Sequence, residues 1–282
     1  MSATALSLAH IVQTCTDPVA KTNGALSMKR SILVLAIASL ASVAVHAEDA
    51  NPLSFNIGVF SDYRFRGISQ TRLLPALQFG ADYAFPSGFY VGTWLSTIRW
   101  IEDAGKAANV QVGSTSLEWD IYAGYKGEIA KDFSYDVGAL AYYYPGNKLY
   151  NIPGSRNAHT GELYGALTFG PATVKYSHSV TTLFGFDHSR NSGYLEAAAT
   201  FDVGAGFSIT PHVGYQKVRG NSDFSYTDYS VTGSKDFSGF VVSLALVGAE
   251  TKSISGVKAY ASPANGKDLG RSTVVLGVKT TF

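Results

Sequence analysis

The sequence predicts an all-β chain: an antiparallel up-and-down transmembrane β-barrel of about 12 strands, with long extracellular loops and short periplasmic turns. Three observations carry that expectation. An export leader stands ahead of residue 48, segments of alternating apolar and polar residues recur from there onward, and their connections alternate between short and long.

The leader is "MKRSILVLAIASLASVAVHAEDA", which begins at Met28. Lys29 and Arg30 supply its basic start, residues 32–45 its apolar run, and Ala47 a small residue before Glu48. That run is shorter than the ~18 residues a spanning helix needs. Residues 28–47 are therefore expected to be a cleaved signal peptide, and residues 1–27, which show no periodicity, an upstream start artefact. Residues 48–282 form the expected barrel. They hold no Cys and no Met, because Cys15, Met1 and Met28 all precede them. An exported chain with no disulfide framework is not a small stapled domain, and no Cys follows the apolar run to carry a lipoprotein anchor. Residues 48–282 carry 19 Lys and Arg against 20 Asp and Glu, which offers nothing to a nucleic acid.

Twelve alternating segments begin near Phe55, Ala76, Phe89, Leu117, Phe133, Gly161, Ala172, Gly193, Phe207, Thr227, Phe240 and Ser272. Each is close to the ~9–11 residues a tilted membrane strand requires. No amphipathic helical run of useful length is expected. "PSG" at 86–88, "AKD" at 130–132, "GP" at 170–171, "GAG" at 204–206 and "DFSG" at 236–239 read as short turns, and six longer loops interleave with them. A Greek-key sandwich has no reason to keep that rhythm.

The faces of the strands agree. In the fourth, Leu117, Trp119, Ile121, Ala123 and Tyr125 alternate with Glu118, Asp120, Tyr122, Gly124 and Lys126. A soluble sandwich would turn the apolar set inward, and a membrane barrel turns it outward to lipid. Phe55, Phe79, Tyr83, Phe85, Phe89, Trp119, Tyr135, Phe169, Phe201, Phe207 and Phe240 fall mostly near strand ends in the lipid phase, as an interfacial girdle would. The closing "RSTVVLGVKTTF" puts Phe282, Thr280, Val278, Leu276 and Val274 on one face. This strand is similar to the terminal recognition strand of outer-membrane barrels. Phe282 is thus the candidate membrane-insertion signal, read by the barrel-assembly machinery.

"SDYRFRGISQT" at 61–71 and "PALQFGADYAFPSGFYVGTWLSTI" at 75–98, continued by "LEWDIYAGYKG" at 117–127 and "YYYPG" at 142–146, resemble the opening signature of the TorF-type porin family of proteobacterial outer-membrane proteins. The resemblance runs from about Leu53 to Phe282. It implies an outer-membrane barrel with a channel role in a Gram-negative bacterium, and supplies no catalytic residues and no solute.

Charge on the inner face defines the candidate pore lining: Asp62, Arg64, Arg66, Asp82, Glu118, Asp120, Lys126, Asp136, Glu162, Lys175, Glu196 and Lys279, with Asp202 beside them. On this reading Asp62, Arg64 and Arg66 project into the lumen from the first long loop, while Tyr63 and Phe65 face the lipid boundary or fold under the loop. Inner Tyr90, Trp94, Tyr122, Tyr142 and Tyr164 narrow the bore. Charges of both signs either select permeants by charge and size or pair and plug the lumen, since twelve strands lie between filled and open barrels. The leading expectation is passive diffusion of small hydrophilic solutes, with outer-membrane lipid as the surroundings.

Two other readings stay open. An embedded hydrolase needs a nucleophile, a base and an orienting group in reach. The best seed is "YSHSV" at 176–180, but Ser177 and Ser179 alternate with His178 and so point to the opposite face, while His212 has inner-face phase. A structural or adhesive barrel would use loops such as "FGFDHSRN". No catalytic set, metal-ligand spacing or cofactor motif emerges.

Overall fold

The computed structural model describes residues 51–114 and 116–282, so the expected leader and residues 1–27 lie outside the described residues. Strands β1 (Leu53–Phe60), β2 (Ala76–Ala84), β3 (Phe89–Thr97), β4 (Leu117–Ala130), β5 (Phe133–Tyr143) and β6 (Thr160–Phe169) make half of the sheet. Strands β7 (Ala172–Ser179), β8 (Gly193–Ala199, continued as Phe201–Gly204), β9 (Phe207–Lys217), β10 (Tyr226–Asp236), β11 (Val241–Glu250) and β12 (Thr273–Thr281) make the rest. Every strand pairs antiparallel with its neighbours in sequence, and β1 also pairs with β12, where Ile57 sits opposite Thr280. The sheet is a closed twelve-stranded meander. Each strand begins within two residues of its sequence-predicted start, because a period of two is the one backbone pattern that keeps apolar groups on a single side.

Which side is greasy is settled by exposure. Leu167, Val213 and Phe169 stand 51 %, 51 % and 68 % exposed on the outside, whereas Glu118 and Asp228 are each 2 % exposed within. Such inversion suits hydrocarbon, and closure leaves no sheet edge to be satisfied. At the short-turn end the outer rings touch along one strand, Tyr83 with Phe85, and from strand to strand, Phe89 with Tyr125, Phe133 with Phe169, and Phe55 with Phe282. Rings placed so suit the interfacial girdle that the sequence predicts. Tight turns there take left-handed backbone at Asp132 (φ 60°) and Gly170 (φ 54°). Asp202 is exposed, and its Oδ1 accepts from the Gly204 N–H at 2.8 Å. It sits opposite Ser208 at the short-turn rim, where β8 ends.

At the other end the long loops are folded over the mouth. The second of them contains helix α1 (Trp100–Ala108), which corrects the expectation of no helix. It is nine residues long with no side-chain N-cap, and it ends on Asn109 in the left-handed conformation (φ 54°). Ile101 is fully buried from its inner side. The first three long loops share a core of Tyr63, Ile98, Ile101, Val112, Tyr144, Leu149 and Ala158, joined by Tyr142 of β5. A second core, of Ile68, Tyr226, Ala249 and Leu269, ties the first loop to the last. Within the wall, Phe60, Val247 and Val275 make a third, smaller cluster on the inner side of β1, β11 and β12; elsewhere the apolar side of the strands faces outward.

Candidate functional site

The loop at 61–75 does not stand above the barrel. It folds into it. Arg64–Phe65 pairs with Ile68–Ser69 as a miniature hairpin, and Arg66 and Gly67 form its two-residue turn with φ of 47° and 77°. Both turn residues take positive φ, as the twist of such a tight hairpin requires. Gly67 is obligatory for a second reason: a Cβ there would lie 2.6 Å from the Asp228 Cβ and 2.8 Å from the Gly248 carbonyl. The tip is pressed against β10 and β11, on the far side of the ring from β4.

Arg66 anchors that tip. Its guanidinium donates to both oxygens of Glu162 on β6, at 3.0 and 2.7 Å, and to Oε1 of Gln216 on β9 at 2.7 Å. It also stacks over the rings of Tyr194 and Phe65 at 4.2 and 4.8 Å. Burial opposes the charge on Arg66, but Glu162 more than offsets it, so the guanidinium is held protonated more firmly than usual. The fork therefore crosses from the first loop to two separate walls.

Asp62 and Arg64, expected to face an aqueous bore, serve the hairpin instead. Arg64 Nε donates to Asp62 Oδ2 at 2.5 Å, and Arg64 Nη1 reaches the carbonyls of Gly67 and Leu269, each at 2.9 Å. Asp62 Oδ1 accepts from Ser69 and Thr71. The expected lipid-boundary placement of Tyr63 and Phe65 is corrected as well. Tyr63 is 2 % exposed, packs edge-on against Trp94 at 5.3 Å and donates to Glu118 Oε1 at 3.2 Å. Burial first, and the Glu118 and Asp120 charges after it, push the Tyr63 hydroxyl's pKa well up. Phe65 meets Tyr142 and Phe184 edge-on. Both rings lie inside because the chain leaves the sheet at Phe60, so the alternation of β1 no longer dictates direction beyond it.

The inner charges divide into two tiers. Glu118, Asp120 and Glu162, at the long-loop end, are buried beneath the hairpin. Asp82, Lys126, Asp136, Lys175, Glu196 and Lys279, toward the short-turn end, are all half-buried. Lys126 lies 3.9 Å from Asp136 and 4.7 Å from the Tyr90 ring, and Lys175 lies 4.4 Å from the Tyr164 ring. Tyr90 donates to Asp136 at 2.6 Å and is hydrogen-bonded to Tyr164; Tyr122 donates to Asp82 at 2.5 Å. Across the ring the inner wall of β9–β11 carries small hydroxyls instead: Ser208, Thr210, Thr232, Ser234 and Ser243.

The inner tyrosines narrow the bore less than their size suggests. A Cβ added at Gly138 would fall 2.5 Å from the Tyr164 hydroxyl, and the rings of Tyr122, Tyr90 and Tyr194 lie likewise over Gly92, Gly124 and Gly214. Each ring lies flat on a neighbouring strand where a side chain is missing.

Sequence reasoning missed Asp228, Gln216 and Tyr194 as site residues. His212 Nε2 is 3.1 Å from Glu196 Oε2 and its Nδ1 3.6 Å from Asp228 Oδ1, while Tyr194 donates to both Asp228 oxygens at 3.1 and 3.0 Å. Their inner-face phase in β8–β10 was the available signal. On the outside His178 meets Asn191 Oδ1 at 3.2 Å, with Ser177 and Ser179 turned inward, as the alternation requires. No group of three or more His, Cys, Asp or Glu among the described residues could hold a metal ion.

Residues 44–282 match the family described as a bacterial protein of unknown function (Gcw_chp). The chain belongs to the Gcw_chp family. No curated protein matches the sequence. Among solved structures the chain is similar to the KdgM porin, with a TM-score of 0.49 and 11 % identity over 81 % of this chain and 99 % of that one. It is similar to the NanC porin, with a TM-score of 0.48 and 11 % identity over 81 % and 98 %. It is also similar to OprD of Pseudomonas aeruginosa, with a TM-score of 0.38 and 10 % identity over 84 % and 68 %.

Proposed function

We propose that this Gcw_chp protein is an outer-membrane channel of the TorF type, passing small hydrophilic solutes by passive diffusion, with the hairpin at 61–75 as the closure of its outer mouth. One observation carries this reading. The charged inner groups of β2, β4–β8 and β12 are half-buried toward the short-turn end and buried where Arg66 spans the bore. A barrel serving only as a support has no use for a charged lumen beneath a loop that folds into its mouth. Charged groups on facing walls set a local field for whatever passes. Short turns are periplasmic in this architecture, so solutes meet the loop first from outside. The strand ending in Phe282, with that ring 68 % exposed, is the segment we assign to recognition by the assembly machinery.

The test is planar-bilayer conductance of residues 48–282 refolded in detergent. Discrete openings, with ion selectivity altered by Glu162→Gln, are the expected result. A barrel that inserts but stays sealed under every voltage and salt, with Arg66 present or replaced, overturns the proposal.

A further inference from the structure

Glu118 and Asp120 stand two positions apart on the inner side of β4, at its long-loop end, and are 2 % and 7 % exposed. Every other buried carboxylate in the upper lumen is well supplied with donors. Glu162 has Arg66, Asp62 has Arg64, and Asp228 has Tyr194. Glu118 has one, the Tyr63 hydroxyl on Oε1, and among the described residues Oε2 of Glu118 and Oδ1 of Asp120 accept no hydrogen bond. No ion pair reaches either carboxylate among the described residues. Two acceptors withdrawn from water without donors are costly to keep. Donors from outside the chain would satisfy both.

The surroundings narrow what those donors are. In the sheet register Asp120 lies opposite Trp94 on β3 and Tyr142 on β5, and Tyr63 packs on Trp94. Aromatic faces beside paired carboxylates suit a cation with a desolvated charge. Calcium takes about 6–8 oxygens, and two carboxylates with one tyrosine hydroxyl provide at most about five. Two residues along one face of a strand are about 6.6 Å apart at the backbone, and two N–H···O bonds of about 2.9 Å diverging at the tetrahedral angle from one nitrogen span about 4.7 Å, which two carboxylates inclined toward each other reach. A single nitrogen carrying several N–H groups bridges the gap.

We propose that Glu118 and Asp120 form a binding site for a primary ammonium group, and that small organic amines are accordingly the solute class this lumen favours. The solute-class half rests on the channel reading above; the site itself does not. Tyr63 belongs to the inward hairpin, so an amine that takes over its acceptor on Glu118 also loosens that loop.

The probe is n-butylammonium, titrated calorimetrically into the detergent-folded barrel, with tryptophan fluorescence, to which Trp94 beside Tyr63 contributes, as a second readout. The parent is expected to bind one equivalent. The isosteric double variant E118Q/D120N is expected to bind about ten-fold more weakly or worse, and tetramethylammonium, which has no N–H, to compete poorly. If the double variant fails to fold, as its gel mobility before heating will show, E118Q alone is used. Several outcomes overturn the site: no binding by the parent, equal binding by parent and variant, equal binding of tetramethylammonium, or calcium binding in place of amine binding. A protonated-carboxyl infrared band in the parent at neutral pH, lost in E118Q/D120N and unaccompanied by amine binding, overturns it too. Flux of butylammonium into proteoliposomes is measured separately. Binding without flux refutes the channel and keeps the site, whereas flux without binding refutes the site and keeps the channel.

Discussion

Replacing Arg66 with Ala tests whether the hairpin at 61–75 is held as a latch. The substitution removes two hydrogen bonds to Glu162, one to Gln216 and the stacking on Tyr194. It leaves Glu162, 3 % exposed, without its counter-charge. Breaking a buried pair by deleting one partner costs about 3–5 kcal/mol, which is roughly a 10²–10⁴-fold shift in the equilibrium between docked and released loop. The readout is hydrogen exchange at the amides of Ser69 and Arg99. Their bonds to the carbonyls of Leu269 and Gln70, at 3.0 and 2.9 Å, join the loop at 61–75 to the last and the second long loops and are lost when it is released. Exchange there is expected to quicken by about two orders of magnitude, while amides of the wall strands stay as slow as in the parent, and single-channel open time should rise with it. The double variant R66A/E162A should recover much of the protection, because a deleted pair leaves no stranded charge. If R66A exchanges within about two-fold of the parent at both amides, the latch is refuted, because a stranded buried carboxylate costs more than that shift.

Gly67→Ala should release the same loop by a different route. The side chain would meet the Gly248 carbonyl at 2.8 Å in a backbone region that costs an L-residue about 1–2 kcal/mol, so exchange at Ser69 should again quicken with the Arg66 pair intact. Unchanged protection would mean the tip is not seated on β10 and β11. Val213→Arg, on the outer face near the middle of β9, should lower unfolding stability in lipid vesicles by about 2–4 kcal/mol. A neutral result would show that this face does not meet hydrocarbon.

The wall of the barrel was legible in the sequence because each strand encodes its own direction locally: Glu118, Asp120 and Tyr122 had to share a side whatever they touched. The closure of the mouth was not. Asp62, Arg64 and Arg66 continue the alternation of β1 in the sequence, although the ladder stops at Phe60. Arg66 finds its partners 96 and 150 residues away, and no local pattern reports such separations. Helix α1 escaped for a different reason. Arg99 at its start supplies no side-chain cap, and Gly105 interrupts its short interior, so neither the stop–start signals nor propensity favoured a helix. It is held instead by Ile101 in the loop core and by the ion pair of Arg72 with Asp103. The tyrosines lying over glycines were half legible: both residue types sat in the right phase, but which ring covers which gap depends on strand stagger.

The seam between β1 and β12, where Phe55 and Phe282 exchange a reciprocal pair of backbone hydrogen bonds at 2.7 and 2.9 Å, bears on how the molecule is made. The cylinder closes only when segments from opposite ends of the described chain meet, so any portion lacking either one presents two raw margins of amide groups to oil. Such margins are costly in oil unless something else pairs them, so eleven pairings between sequence neighbours wait upon a twelfth that joins the two ends.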